Sequence, residues 1–551
     1  MNDMQKKKTD SPVVRDGAIS TDNRLAVIED GIRKKYLTRL CEMQIVPVGD
    51  ILPLEDDLIQ NVRLYKVTEM VYAKGEPVTD KFATVFNTLS TYSSNAFIIM
   101  DSDGKKTDFY VGVRNDEKDE SKKRSTVTLG DTLKNTLIGH FPGVKIIGRD
   151  RAQIAELSRK IQEQQNVTSV SVVGSSKSAE EHSNEQFSQG LEKLVLAMQG
   201  RQYIGIILAE SQSPQIVQML RREYQELYTK LSPMKNEQLT ESSSSSISRS
   251  QSFTEMNGRQ KAALLGGALA SLGGTVGGAV LSAGTDAAAN AAEQTLLHVA
   301  GMDLSPAGAM LGGQITNQLS AFINSLAPVE QHGESKSTSY TTTRENKAIT
   351  DILQMLDDSL KRTREFDSYG MWNIAAYFLS DDMSAAEIAA SNYRSLMNGE
   401  KSGREVSAIN SWRGNDPAVI GDYRDLTTYL SRFVHPLFYY GSSGQYGVMT
   451  NAAAAVTGKE LGIHMELPRA TVSGLPVIEH AEFGKEVNTY HLFSDGHIPR
   501  PEERMTLGRI FDLGQITNKI VELDNRSLNM HTFITRLHRV GKEQHGIPDA
   551  D

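Results

Sequence analysis

Cysteine is nearly absent: Cys41 stands alone in 551 residues. That excludes an intrachain disulfide framework and a cysteine-rich zinc site. It suits a reducing cytosol, so a cytoplasmic protein is expected. Basic charge is short as well. Lys and Arg number 59 against 68 Asp and Glu, the net charge is -9 and the pI is about 5.8. A global basic field for nucleic acid is therefore missing. Lys6, Lys7 and Lys8 near the N-terminus have no apolar run behind them, so they do not start a secretory signal. Apolar residues are plentiful at 39%, enough for packed cores and more than one domain.

The pattern along the chain predicts an α+β fold. Residues 21–231 read as an N-terminal α+β module with a mixed sheet. Val27, Ile28, Ile32, Tyr36, Leu37 and Leu40 recur at helical spacing and predict an amphipathic helix from Leu25 to Met43. The run Ala96 to Met100, the Asp103-Gly104 turn and the alternation from Thr107 to Arg114 predict a β-hairpin. Helices follow at Leu129 to Ile138, Asp150 to Gln164, Glu185 to Met198 and Ser213 to Leu231. Strands are expected at Ser169 to Val173 and Tyr203 to Leu208. This alternation points to a mixed sheet covered by helices.

The middle is compositionally different. A Ser-rich linker spans 232–260 and a Ser/Thr-rich linker spans 329–345. Between them, 261–328 reads as a Gly/Ala-rich helical insertion. Ala262 to Gly284 carries no charge and is long enough to cross a bilayer. Gly273 with Gly277, and Gly274 with Gly278, form GxxxG pairs that let helix backbones approach. Glycine and alanine contribute little transfer energy, which favours a hairpin packed on itself or on neighbouring subunits over membrane contact. Ala307 to Leu326 could be its partner.

A second α+β module is expected over 346–457. It has a helix at Ile349 to Phe366, a strand at Tyr369 to Leu379, and a helix from Ser384 to Met397. Ser384 and Glu387 have the spacing of a capping box. Residues 458–535 read as a β-rich segment ending in a first motor strand, and 536–551 as a tail.

No catalytic constellation emerges, so no catalytic, cofactor-binding or metal residue is assigned. His480-Ala481-Glu482 lacks the downstream cysteine pair of a zinc deaminase. The run from Gly441 to Gly447 is glycine-rich but lacks the following Lys-Ser/Thr of a phosphate loop. Glu55-Asp56-Asp57 and Asp381-Asp382 read as solvated surface, with no neighbour to complete a metal shell.

Several stretches nevertheless carry a resemblance. Glu460 to Val487, Leu507 to Gly514 and Leu528 to Thr535 resemble bacterial HerA/FtsK-like P-loop ATPases, the DNA translocases. Asn61 to Tyr72 and Phe109 to Arg114 are similar to the same family's N-terminal region. Together the pieces span most of the chain. The resemblance implies hexameric rings, DNA in a motor pore, ATP and magnesium between subunits, and an accessory nuclease-like partner. By that implication this chain is an assembly and docking portion and a homo-oligomer.

The departure falls after Thr535, where the family pattern calls for G-x-x-x-x-G-K-[ST]. Gly541-Lys542 is present, but Arg536 stands at the first glycine and Glu543 at the hydroxyl residue. A carboxylate there repels phosphate and supplies no hydroxyl for magnesium. Codons for Arg536 to Pro548 can be chosen that, read one base later, encode Gly-Ser-Thr-Gly-Ser-Gly-Lys-Ser. A frameshift at Thr535/Arg536 is therefore expected, with no ATP or magnesium bound and no ATPase activity. Sequencing the coding DNA tests it. A rival class is a self-assembling or membrane-associated scaffold built on Ala262 to Gly284. Another is an enzyme with a nucleotide site at the Gly441 loop.

Overall fold

The computed structural model describes residues 29, 31–51, 58–73, 76–92, 94–116, 125–176, 190–242, 339–439, 449–480, 500–512 and 515–525. The chain divides into two compact units, Met1–Ile478 and Glu479–Asp551. The first is built on a ten-stranded sheet, the expected α+β class.

Its strands are β2 (Val62–Ala73), β3 (Ser94–Asp103), β4 (Thr107–Asn115), β5 (Lys145–Gly148), β6 (Asn166–Ser171), β7 (Gln202–Gln212), β10 (Met371–Ser380), β11 (Ala408–Arg413), β14 (Ala454–Thr457) and β15 (Val477–His480). The order is β11-β6-β10-β7-β3-β4-β2-β15, with β14 on β10 and β5 on β2. Three further short strands form a small sheet in the order β1 (Gln44–Ile45), β12 (Phe438–Tyr439), β13 (Met449–Thr450). The longer helices are α1 (Val78–Asn87), α2 (Thr126–His140), α3 (Arg151–Gln162), α4 (Glu192–Ala197), α5 (Pro214–Leu231), α6 (Lys347–Tyr369), α7 (Met383–Met397), α8 (Tyr423–Ser431) and α9 (Gly458–His464).

Residues 21–231 and 346–457 both contribute strands to this one sheet. At its centre β10 lies between β6 and β7, and all ten of its residues are buried. That explains a run, Met371 to Leu379, without polar alternation: a strand covered on both faces has none to keep. Phe82, Leu133, Ala386 and Leu461 from α1, α2, α7 and α9 fill one face. Leu157, Ile161, Leu426 and Leu430 from α3 and α8 fill the other.

The expected mixed sheet is corrected, because the registers of β2, β3, β4, β5, β6, β7, β10, β11 and β14 are all antiparallel. Alternating helices and strands fix element order, not strand direction. Between β7 and β10 the chain runs out along α5 and back along α6, which pack together, so β10 starts at the end where β7 finished.

The β3/β4 hairpin forms where its Asp-Gly turn predicts. Asp103 Oδ1 accepts from the amides of Lys105 and Lys106, each at 2.8 Å, and Gly104 takes φ 85°. Asp150 and Gln153 cap α3 reciprocally. Three other expectations change. The predicted helix Leu25 to Met43 contains a turn ending at Lys34, which is left-handed, followed by a 3-10 helix, Lys35–Glu42. Tyr36, Leu37 and Leu40 are still buried, and Leu37 and Leu40, three apart, fall on one face of a 3-10 turn. Tyr369 ends α6 rather than starting a strand, since Gly370 at φ 75° turns the chain first. Asp382, not Ser384, caps α7, its Oδ1 accepting from the Ser384 amide at 3.0 Å.

From α5 and α6 a two-stranded ribbon extends, β8 (Asn236–Ser242) against β9 (Ser339–Glu345). Ser242 pairs with Ser339, so residues 243–338 leave and return at adjacent points. Ala262 to Gly284 and its GxxxG pairs lie outside the described residues. Among the described residues, no helix is long and apolar enough to cross a membrane.

In the second unit, β16 (Arg504–Asp512) and β17 (Gln515–Asp524) form an antiparallel hairpin with two register shifts. Of the resembling stretch Leu507 to Gly514, residues 507–512 fall on it, and 513–514 lie outside the described residues. Leu528 to Thr535 and the tail 536–551 lie outside the described residues.

Candidate functional site

At one end of the large sheet β3 and β10 finish and β7 begins. A cleft of about 690 Å³ opens there, lined by Asp103, Lys160, Gln199, Arg201, Asp381 and Asp382 among others. Backbone geometry explains the opening. Two glycine turns meet at its rim, where the Gly200 amide donates to the Gly104 carbonyl at 3.1 Å. Both glycines have positive φ, at 84° and 85°, a conformation glycine adopts at little steric cost. A Cβ on Gly104 would stand 3.3 Å from the Gly200 oxygen.

The rim is held by short polar contacts. Ser380 Oγ donates to the Gln202 carbonyl at 2.8 Å, and Asn166 Nδ2 donates to the carbonyls of Ser380 and Asp381, each at 3.0 Å. Arg201 Nη1 lies 3.5 Å from Asp382 Oδ2. Lys160 pairs with Asp101. Both cations of the cleft thus already face carboxylates, whereas Asp381 and Asp103 make no ion pair among the described residues. The amides of Lys106 and Lys105 hold the Asp103 carboxyl below its usual range. Burial raises the Tyr423 hydroxyl above its usual range, and the Asp381 charge adds to that. The arrangement suits a small polar ligand with a cationic group, received by carboxylates on a fixed backbone frame.

Asp381 and Asp382 are both exposed, in keeping with the solvated surface read from the sequence, and each also has a place in the local structure. Asp382 caps a helix and Asp381 faces the cleft. Glu55-Asp56-Asp57, Glu482 and the Gly441 to Gly447 loop lie outside the described residues. His480 ends β15, and its side chain lies outside the described set. Among the described residues, no group of three His, Cys, Asp or Glu is placed to hold a metal ion.

Two buried histidines were not legible as a site. His464 Nε2 accepts from the Gly174 amide at 2.8 Å, and its Nδ1 stands 2.7 Å from the Tyr393 hydroxyl. His435 Nδ1 stands 2.8 Å from the Tyr377 hydroxyl, and its Nε2 is 3.2 Å from the Asn373 carbonyl. Burial lowers the His464 pKa to about 3 and the His435 pKa to about 4. A general base near neutral pH needs a pKa near the operating value. These two are fastenings of the core. No family model matches this chain, and neither does any curated protein or solved structure.

Proposed function

We propose that this chain is the N-terminal assembly and docking portion of a HerA-like, ATP-binding DNA translocase. One observation carries the reading beyond sequence resemblance. The β16–β17 hairpin leaves Met505, Leu507, Phe511, Ile516 and Ile520 exposed, from 43% to 69%. A two-stranded hairpin is marginally stable alone in water. An apolar hairpin of this kind gains by covering, and in a ring-forming family a second copy of the chain supplies the cover. That supports a module whose work is assembly. Arg536 and Glu543, at the positions where the family has glycine and a hydroxyl residue, make ATP hydrolysis by this chain unexpected.

Light scattering on the purified full chain tests the reading. An oligomer is expected at tens of micromolar, reduced toward monomer by Phe511→Lys with Ile516→Lys. A wild-type monomer under those conditions defeats it. Magnesium-dependent phosphate release above a buffer control would defeat the claim about ATP.

A further inference from the structure

One edge strand of the large sheet is β11, and the segment before β1 packs on its buried face. The Val406 amide, just ahead of β11, donates to the Arg33 carbonyl at 2.8 Å. Asn410, within β11 and 2% exposed, donates from Nδ2 to the Leu37 carbonyl at 2.7 Å and accepts at Oδ1 from the Cys41 amide at 3.3 Å. One side chain of the edge strand thus holds both ends of a helical turn. Tyr36, Leu37 and Leu40 anchor that turn in the core with Trp412 of β11.

The seat of this segment is unusual at Lys34. Its side chain is buried, and its ammonium lies 3.2 Å from Glu405 Oε2. Glu405 Oε2 also accepts from the Ala455 amide at 3.3 Å. Arg362 bonds the Ala455 carbonyl and reaches Glu460 Oε2 at 2.7 Å, while Arg404 lies 3.5 Å from Glu460 Oε1. Lys34 has φ 53° and ψ 44°, a left-handed conformation that costs a side chain with a Cβ. Burial depresses the basicity of its amine more than Glu405 restores it, and Arg362 depresses it further. The closed position therefore bears two penalties at one residue: backbone strain and a desolvated charge.

We propose that residues 31–43 form a releasable strap over edge strand β11, with Lys34 and Glu405 as its catch. When the strap lifts, the face of β11 that carries Ala408, Asn410 and Trp412 loses its cover. Apolar anchors hold the strap down, and the strained, charged catch brings it close to release.

Hydrogen exchange on the full chain, read by mass spectrometry on peptides covering 31–45 and 371–380, tests this. In the wild type the strap should exchange at least a hundredfold faster than β10, at a rate insensitive to low urea. That is the signature of local opening. Lys34→Met with Glu405→Leu removes both buried charges and should slow the strap at least tenfold, with β10 unchanged. A wild-type strap that follows β10 in rate and urea dependence overturns the proposal. So does a folded double variant with unaltered strap exchange. If the double variant does not fold, β10 will exchange rapidly, and the wild-type urea dependence decides alone.

Discussion

Nε2 of His464 accepts the backbone amide hydrogen of Gly174 at 2.8 Å, and that contact fixes the tautomer of a buried ring. An amide nitrogen only donates, so Nε2 carries the lone pair and Nδ1 the hydrogen. Nδ1–H then donates to the Tyr393 hydroxyl at 2.7 Å. His435 is the reverse. Its Nε2 faces the Asn373 carbonyl and must carry the hydrogen, so Nδ1 accepts from the Tyr377 hydroxyl. Gly174 permits the approach: a Cβ there would lie 2.6 Å from His464 Nε2.

These two histidines should therefore lower the stability of the fold in acid. Above about pH 6.5 both histidines are neutral in the folded and unfolded chains alike. Below it the unfolded chain takes up protons and the folded chain does not, until pH reaches about 4 for His435 and about 3 for His464. Stability should fall by about 1.4 kcal/mol per pH unit for each histidine within that window. Urea midpoints between pH 4.5 and 7.5 measure it. His464→Gln should lower stability at neutral pH and reduce the loss on acidification by about 1.4 kcal/mol per pH unit, whatever the opposing groups contribute; an unchanged slope would exclude His464 as a source.

How much of this was legible in the sequence depends on where the determinant lies. The β3/β4 hairpin and the Asp150 cap were readable because Asp103-Gly104 and Asp150-Gln153 act within a few residues. The His464–Gly174 bond joins positions 290 apart in sequence, and a lone histidine carries no local sign of it. The strap was misread as one long helix for a related reason. Tyr36, Leu37 and Leu40 gave a valid apolar stripe, but the left-handed Lys34 that breaks it is stabilised by Glu405 from a distant loop. Strand direction was lost because nothing local reports that α5 and α6 pack as a returning pair. The cleft joins β3, β7, β10 and α3, and no single stretch contains it.

Glu223 on α5 should make the protein less stable at alkaline pH. Its side chain is buried, and burial, with neighbouring Glu226 adding to it, raises its pKa to about 8. Between about pH 4.5 and pH 8 the folded chain holds a proton that the unfolded chain has released. Stability from this group is present below pH 4.5 and is lost as pH rises through 8. Glu223→Gln keeps the shape and removes the titration. Its melting temperature should exceed that of the wild type at pH 8 by several degrees, with little difference at pH 5. Equal effects at the two pH values would contradict a buried neutral carboxyl.

The two neighbouring aspartates of the cleft should separate cleanly. Asp382→Ala removes the α7 cap and should cost about 1 kcal/mol of stability. Asp381→Ala removes a carboxylate that has no hydrogen bond or ion pair among the described residues and should change stability by less than about 0.5 kcal/mol. Chemical denaturation of the two variants compares them. If Asp381→Ala proves the more damaging, its carboxylate is not free to receive a ligand.

Phe433 offers a test in which the smaller side chain should win. The residue is fully buried, its ring stacks on Phe97 with centroids 4.1 Å apart, and its φ is +57°. Removing the ring costs about 3–5 kcal/mol through lost burial and the cavity left behind. Alanine would suffer that loss and keep the left-handed strain, which is about 1–2 kcal/mol for a residue with a Cβ. Glycine suffers the same loss but relieves the strain. Phe433→Gly should therefore be about 1 kcal/mol more stable than Phe433→Ala, against the usual preference for alanine over glycine. Equilibrium unfolding of both variants measures the difference. Alanine the better by the same margin would mean that the loop after α8 relaxes out of the left-handed region once the ring is gone. The Asn95 Nδ2 bond to the Phe433 carbonyl and the Arg114 Nη1 bond to the Arg432 carbonyl, each 3.1 Å, argue against that relaxation. They hold the backbone on both sides of the strained residue, whichever side chain it carries.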